Sequence, residues 1–207
     1  MRLVFFSEGS SDEGMKALSI PLSEESIRSL KVGDAVSLTG IIYTGRDAVH
    51  KYLFKGGELP SECQWKGGVL YHCGPVMMKE GESYRCTAAG PTTSSREEPY
   101  QDKVIADFGL RAIIGKGGMG EKTAAACQKY GCVYLHAIGG AAQVYAEAVK
   151  KVRNVYLLEK FGSPEAIWEL EVENFIATVT IDSHGGSLHR DILASSTAAF
   201  AENVVHS

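Results

Sequence analysis

The second half of the chain alternates in a way that few folds accommodate. Ala112 to Ile114 is a short apolar run, Gly115 to Gly120 is glycine-rich, and Glu121 to Tyr130 carries apolar residues at helical spacing. The rhythm repeats with Cys132 to Ala137, the pair Gly139-Gly140, and a helical segment over Ala141 to Lys150. A short apolar run closed by glycine reads as a strand buried on both faces. A helix between two such strands brings the second back parallel to the first. The expectation is an α/β fold, with a parallel or mixed sheet and flanking helices.

The remaining segments fit that plan. Ala35 to Thr44 alternates and is β-branched, which predicts a strand; Lys16 to Ile20, Val69 to Cys73, Tyr84 to Ala89 and Ile176 to Ile181 predict others. Tyr156-Leu157 and Glu169 to Val172 are weaker strand candidates. Ser23 is placed to cap a short helix ending near Leu30, Arg46 to Phe54 has helical spacing, and Tyr100, Val104, Ile105 and Phe108 form one helical stripe. The first fifteen residues read as a loop or arm. No shift in composition marks a second domain, so residues 1–190 are taken as one domain and residues 191–207 as an appended tail with a short helix.

Composition narrows the function. A formal charge of −4 argues against nucleic acid as the main ligand, since a phosphate backbone calls for a basic surface. No apolar run approaches the ~20 residues that span a bilayer. Met1 to Gly9 holds only the short apolar stretch Leu3 to Phe6, too short for a signal-peptide core, so a cytoplasmic location is expected. The five cysteines include no CxxC or CxxxC pair. The spacings of zinc sites and ferredoxin-type clusters are therefore missing, and an odd count argues against a disulfide framework. No metal site is expected on this chain.

Three stretches put a cation or hydroxyl beside Gly or Pro at a strand end, where open α/β sheets bind ligands. In Thr44-Gly45-Arg46-Asp47-Ala48-Val49-His50, Arg46 starts a helix whose N–H groups favour an anion, and Asp47 and His50 share a helical face. In Gly90-Pro91-Thr92-Thr93-Ser94-Ser95-Arg96, hydroxyls follow a tight turn and an arginine comes next. In Gly115-Lys116-Gly117-Gly118-Met119-Gly120, a lysine sits on backbone that leaves a ligand unobstructed. Each has a plainer reading, as a capped surface helix, a loop using its hydroxyls for local turns, or a solvated lysine. The third also matches G-x-G-x-x-G, so a nucleotide-binding module on Gly115 to Gly120 is an alternative. The acid such a module needs about 20 residues on is not there. Taken together, the stretches suit a small polyanion such as a dicarboxylate. A non-catalytic anion-binding or assembly subunit would use the same residues. His72, His136 and His189 read as structural or exposed.

The segments TGRDAVHKYL, GPTTSSRE, IGKGGMG and ENFIATVTIDSHGGSLH, in that order, resemble the β subunit of class I fumarases and L(+)-tartrate dehydratases. The likeness runs from about residue 15 to residue 190. It implies a swivelling β/β/α domain that pairs with an α subunit holding a [4Fe–4S] cluster on three cysteines. It further implies that Arg46, Arg96 and Lys116 bind substrate carboxylates, that Thr92 transfers the proton, and that Gly90 and Thr93 shape the loop. Asp47 and His50 become supporting residues on the cluster side. Family members usually have Met after the arginine of the GPTT loop. Here it is Glu97, a change expected to reshape the rim of the site.

Overall fold

The computed structural model describes residues 14–205, so most of the arm expected over the first fifteen residues lies outside the described residues. Strand β1 (Met15–Ser19) leads into helix α1 (Glu24–Arg28), capped by the Ser23 hydroxyl, which accepts from Ser26 N at 3.0 Å. Then come β2 (Ala35–Thr44), α2 (Asp47–Phe54), β3 (Val69–Tyr71), β4 (Val76–Glu80) and β5 (Ser83–Ala88). A 3-10 turn (Ser94–Glu97) runs straight into α3 (Glu98–Phe108). The alternating half follows as β6 (Ala112–Gly115), α4 (Glu121–Tyr130), β7 (Val133–His136), α5 (Ala142–Ala148) and β8 (Val149–Tyr156). The single turn α6 (Leu158–Phe161), the long β9 (Ile167–Ile181) and α7 (Leu188–Val205) complete the chain.

Strands β1, β2, β3, β6 and β7 run parallel in that order. Strand β9 lies antiparallel to β2, β7 and β8. Because β9 joins both β7 and β2, the mixed sheet closes into a barrel-like ring, β2–β3–β6–β7–β9, with β1 and β8 outside it. Length makes the closure possible. The 15 residues of β9 pair along most of β2 and still reach Tyr134–His136 on β7.

Several elements differ from the pattern read in sequence. The separate strands expected at Glu169 to Val172 and Ile176 to Ile181 are one strand. Its apolar alternation is interrupted where Asn174 adopts φ 54° and the register against β2 shifts between Leu38 and Gly40. A bulge carries the strand through where its pattern breaks. The helix expected to reach Lys150 stops at Ala148, because the following segment pairs with β9; two register shifts in that pairing set the inward-packed Val149, Val152 and Val155 three residues apart. Strand β4 was not legible, since Val76 and Met78 face outward and leave no buried alternation. Helix α7 has 18 residues and begins at Leu188, longer than the short tail helix expected.

Alternate side chains of the central strands feed two cores. Tyr71, Ile114, Leu135, Trp168 and Phe175 belong to one; Leu70, Ile113 and Tyr134 join Val49, Leu53, Ile105 and Cys127 from α2, α3 and α4 in the other. Burial on both faces explains the unbroken apolar runs. It also brings the carboxyl ends of β2, β3, β6 and β7 to one edge, where the next residues are Gly45-Arg46, His72, Lys116 and Ala137.

Phe175 is fully buried between the rings of Tyr145, 4.7 Å away, and Tyr71, 5.2 Å away. Phe175→Ala should cost about 3–5 kcal/mol of stability, read as a lower midpoint in chemical denaturation.

Candidate active site

The three sequence stretches meet at this edge. Arg46 is the N-cap of α2, and Gly74 leaves its guanidinium room; a Cβ there would lie 2.6 Å from Nη1. The GPTTS loop is laced to the ends of β3 and β6. Thr92 N donates to His72 O at 2.7 Å, Lys116 N to Thr92 O at 3.4 Å, and Ser94 N to Lys116 O at 2.9 Å. Thr93 thus pairs with Lys116 as a one-residue parallel bridge, while Gly90 lets the loop pack closely on Ala142. The Lys116 side chain runs over Gly139 at the end of β7.

At the surface, Arg96 Nη2 donates to Thr92 Oγ1 at 2.9 Å and lies 3.1 Å from Asp47 Oδ2. Asp47 also faces Arg46 at 3.9 Å, and Arg46 Nε lies 3.4 Å from Glu165 Oε1. Thr92, Arg96, Asp47 and Arg46 therefore form one contiguous group, with a cation directly on the threonine hydroxyl. Lys116 joins it through the backbone.

Beneath this group runs a buried polar seam that the sequence did not disclose. His72 Nδ1 lies 2.8 Å from Ser94 Oγ, which is 3.0 Å from the Tyr134 hydroxyl. His72 Nε2 and His50 Nε2 approach the same side-chain amide atom of Gln101, at 2.8 and 2.9 Å, and His50 Nδ1 lies 2.9 Å from the Arg46 carbonyl. All five residues are completely buried. Burial lowers the pKa of both imidazoles, that of His72 well below the ordinary histidine value, so both are neutral. A neutral His50 must donate from Nδ1 to the carbonyl and accept at Nε2. The amide group facing it is therefore the NH2 of Gln101, whose two N–H groups serve both histidines. Gly115 makes the seam possible, because a Cβ there would sit 1.8 Å from Ser94 Oγ.

Four expectations change. His50 and Asp47 share a helix, but His50 points into the seam while Asp47 stays partly exposed between two arginines, so they do not orient one another by a hydrogen bond. The N-terminus of α2 is not open to an anion, because Glu165 Oε2 already accepts from Ala48 N at 3.0 Å. That of α4, which a dinucleotide would use, is filled by the Glu98 carboxylate, which accepts from Gly120 N, Lys122 N and Thr123 N. Glu97 lies under the site rather than on its rim, fully buried and 3.5 Å from His50 Nδ1. A signal for Gln101 existed. It stands three and four residues before Val104 and Ile105, on the buried face of α3, whereas Tyr100 is only partly covered. Glu165 had none, being 117 residues from its partner Ala48.

All five cysteines are buried free thiols. Burial pushes up the pKa of Cys63, Cys73 and Cys86, and a hydrogen bond with Cys132, together with burial, raises that of Cys127. A cysteine that ligates a metal or cluster does so as the thiolate. Among the described residues no three His, Cys, Asp or Glu side chains gather where they could hold a metal ion. The described residues of this chain do not fit an iron–sulfur cluster. No helix among the described residues is long and apolar enough to cross a membrane.

A mixed, ring-closed sheet with arginines, a lysine and a hydroxyl loop gathered at its parallel strand ends defines an α/β domain. The profile of the Fumarase C-terminus family matches residues 6–192, and the chain belongs to that family. It is 55% identical over 187 residues to a Geobacillus stearothermophilus protein provisionally named class I fumarate hydratase; this covers 90% of the chain but only 36% of that relative. It is 42% identical over 176 residues to a Methanocaldococcus jannaschii protein provisionally named L(+)-tartrate dehydratase subunit beta, covering 83% of the chain and 89% of the relative. With the L(+)-tartrate dehydratase subunit beta of Escherichia coli K12 the identity is 34% over 188 residues, covering 90% of each.

The seam sets a pH dependence. Unfolded histidines take up protons near pH 6.5, and these two refuse them when folded. Stability should therefore fall as pH drops below about 6.5. Imidazole 15N spectra of the folded chain should show both rings neutral, with the proton on Nδ1. Gln101→Leu, which leaves both Nε2 atoms unpaired, should cost at least about 1–3 kcal/mol in denaturation.

Proposed function

We propose that the chain is the β subunit of a hydro-lyase that interconverts a hydroxy-dicarboxylate and its dehydrated form. Malate and fumarate are the first choice of pair, and tartrate and oxaloacetate the second. The observation that carries this reading is the Arg96 guanidinium on the Thr92 hydroxyl at 2.9 Å, with Arg46 and Lys116 beside the same loop. Family membership and relatives named as β subunits support it.

In this reading Arg46, Arg96 and Lys116 hold the substrate carboxylates, bidentate at the arginines. Thr92 Oγ1 moves the carbon-bound proton. Its alkoxide is a strong enough base but a costly one to form, and the adjacent Arg96 stabilises it. The same cations hold the aci-carboxylate that develops when the proton leaves. Gly90 and Thr93 set the loop, with Asp47 orienting both arginines and His50 bracing the Arg46 carbonyl. A [4Fe–4S] cluster would be held by an α subunit and not by this chain, and the chemistry it would supply is that of a Lewis acid toward the substrate hydroxyl. The domain is of the swivelling β/β/α kind, spans residues 1–190 with residues 191–207 as a tail, works in the cytoplasm, and binds neither nucleic acid nor membrane.

The purified chain should show no hydratase activity by itself. Mixed anaerobically with a cluster-bearing α subunit, it should hydrate fumarate or dehydrate tartrate; turnover without a partner would refute the assignment. In the assembled enzyme Thr92→Ala should lower kcat by about 100-fold or more with assembly intact, and near-normal turnover would remove Thr92 from its role.

A further inference from the structure

The mechanism leaves one buried ionisable group unused. Glu97 is fully buried, and neither carboxyl oxygen has a hydrogen-bond partner among the described residues. A carboxylate in that position would be an uncompensated buried charge, which costs far more than a neutral acid. Its surroundings do not repay the cost. Asp47 and His50 face it from α2, Arg46 from the cap of that helix, Arg96 from its own turn, and Glu165 from the segment before β9. The two arginines are already engaged by Asp47 and Glu165, at 3.1 to 3.9 Å, and His50 is neutral. Two cations matched by two carboxylates leave only Lys116 as net positive charge for a dianionic ligand. An ionised Glu97 would cancel even that.

We propose that Glu97 is a proton-holding positioning residue that sets the charge of the dicarboxylate site: protonated, it adds no negative charge beneath Arg46 and Arg96, and ionised, its charge opposes the carboxylates of the substrate there. The inference rests on the hydro-lyase reading, in which those arginines hold carboxylates. Burial, helped by Asp47 and opposed by Arg96, raises its pKa to about 8, which places the transition at mildly alkaline pH. The sign follows. Below that pH the acid is neutral and binding is strong; above it the proton is lost and binding weakens. Linkage runs both ways, so a bound dicarboxylate raises the Glu97 pKa in turn.

Two measurements test this. In the enzyme assembled with its α subunit, KM for fumarate should rise by about tenfold per pH unit above about 8. Glu97→Gln, which cannot ionise, should remove that rise, and Glu97→Asp should retain one. The difference should appear in KM rather than kcat. In the full chain, infrared difference spectra between pH 6 and 10 should show loss of a protonated-carboxyl band that is missing from Glu97→Gln. The same KM profile in wild type and Glu97→Gln, or an infrared band that does not differ between them, would overturn the role of Glu97 while leaving the hydro-lyase reading intact. A wild-type assembly that turns over neither fumarate nor tartrate would overturn both.

Discussion

The Ser94 hydroxyl, 2.8 Å from His72 and 3.0 Å from Tyr134, is the interaction on which the site depends. It joins the hydroxyl loop, the residue that follows β3 and strand β7 through side chains. The contact exists only because Gly115 puts no atom in its way. From Ser94 the seam continues through His72 and Gln101 to His50 and the Arg46 carbonyl. The loop carrying Ser94, two residues before Arg96, is thus tied to the Arg46 carbonyl by one buried hydrogen-bonded chain. Breaking such a buried network is costly, because each member left without its partner is an unpaired buried polar group.

Above the seam, the charges are arranged with restraint. Two of the three cations face carboxylates of the same chain, and both helix N-termini beside the site are closed by glutamates, Glu165 on α2 and Glu98 on α4. Filling those helix ends leaves side-chain cations as the main source of positive potential. The helix-end positions that usually receive phosphate are thereby occupied on α2 and α4.

Much of the fold was legible before any coordinates. The spans of β2, β6, β7, α2 and α4 emerge within a residue or two of their expected limits, since period-2 and 3.6-residue patterns and Gly turns are local signals. The misses share a cause. A bulge at Asn174 erases the alternation that announces a strand and hides the continuity of β9. The exposed apolar side chains Val76 and Met78 hide β4. At the site, Arg46, Thr92, Arg96 and Lys116 stood out because cations and hydroxyls beside Gly or Pro are conspicuous in a single sequence. Gln101 and Glu165 did not, for their roles come from partners far along the chain.

The amino-acid sequence by itself determined the class of fold, the family, and the cations and hydroxyls that a polyanion would meet, because these follow from local pattern and side-chain chemistry. Only the tertiary structure decided how those groups stand to one another. It closed the ring through β9, gave the two helix ends to remote glutamates, joined two neutral histidines through one amide, and buried Glu97 beneath the site. The physical reason is that burial and charge pairing are properties of surroundings. The energy of a carboxyl group is set by what packs against it, and α2, the 3-10 turn and the start of β9 come together only when the whole chain has folded.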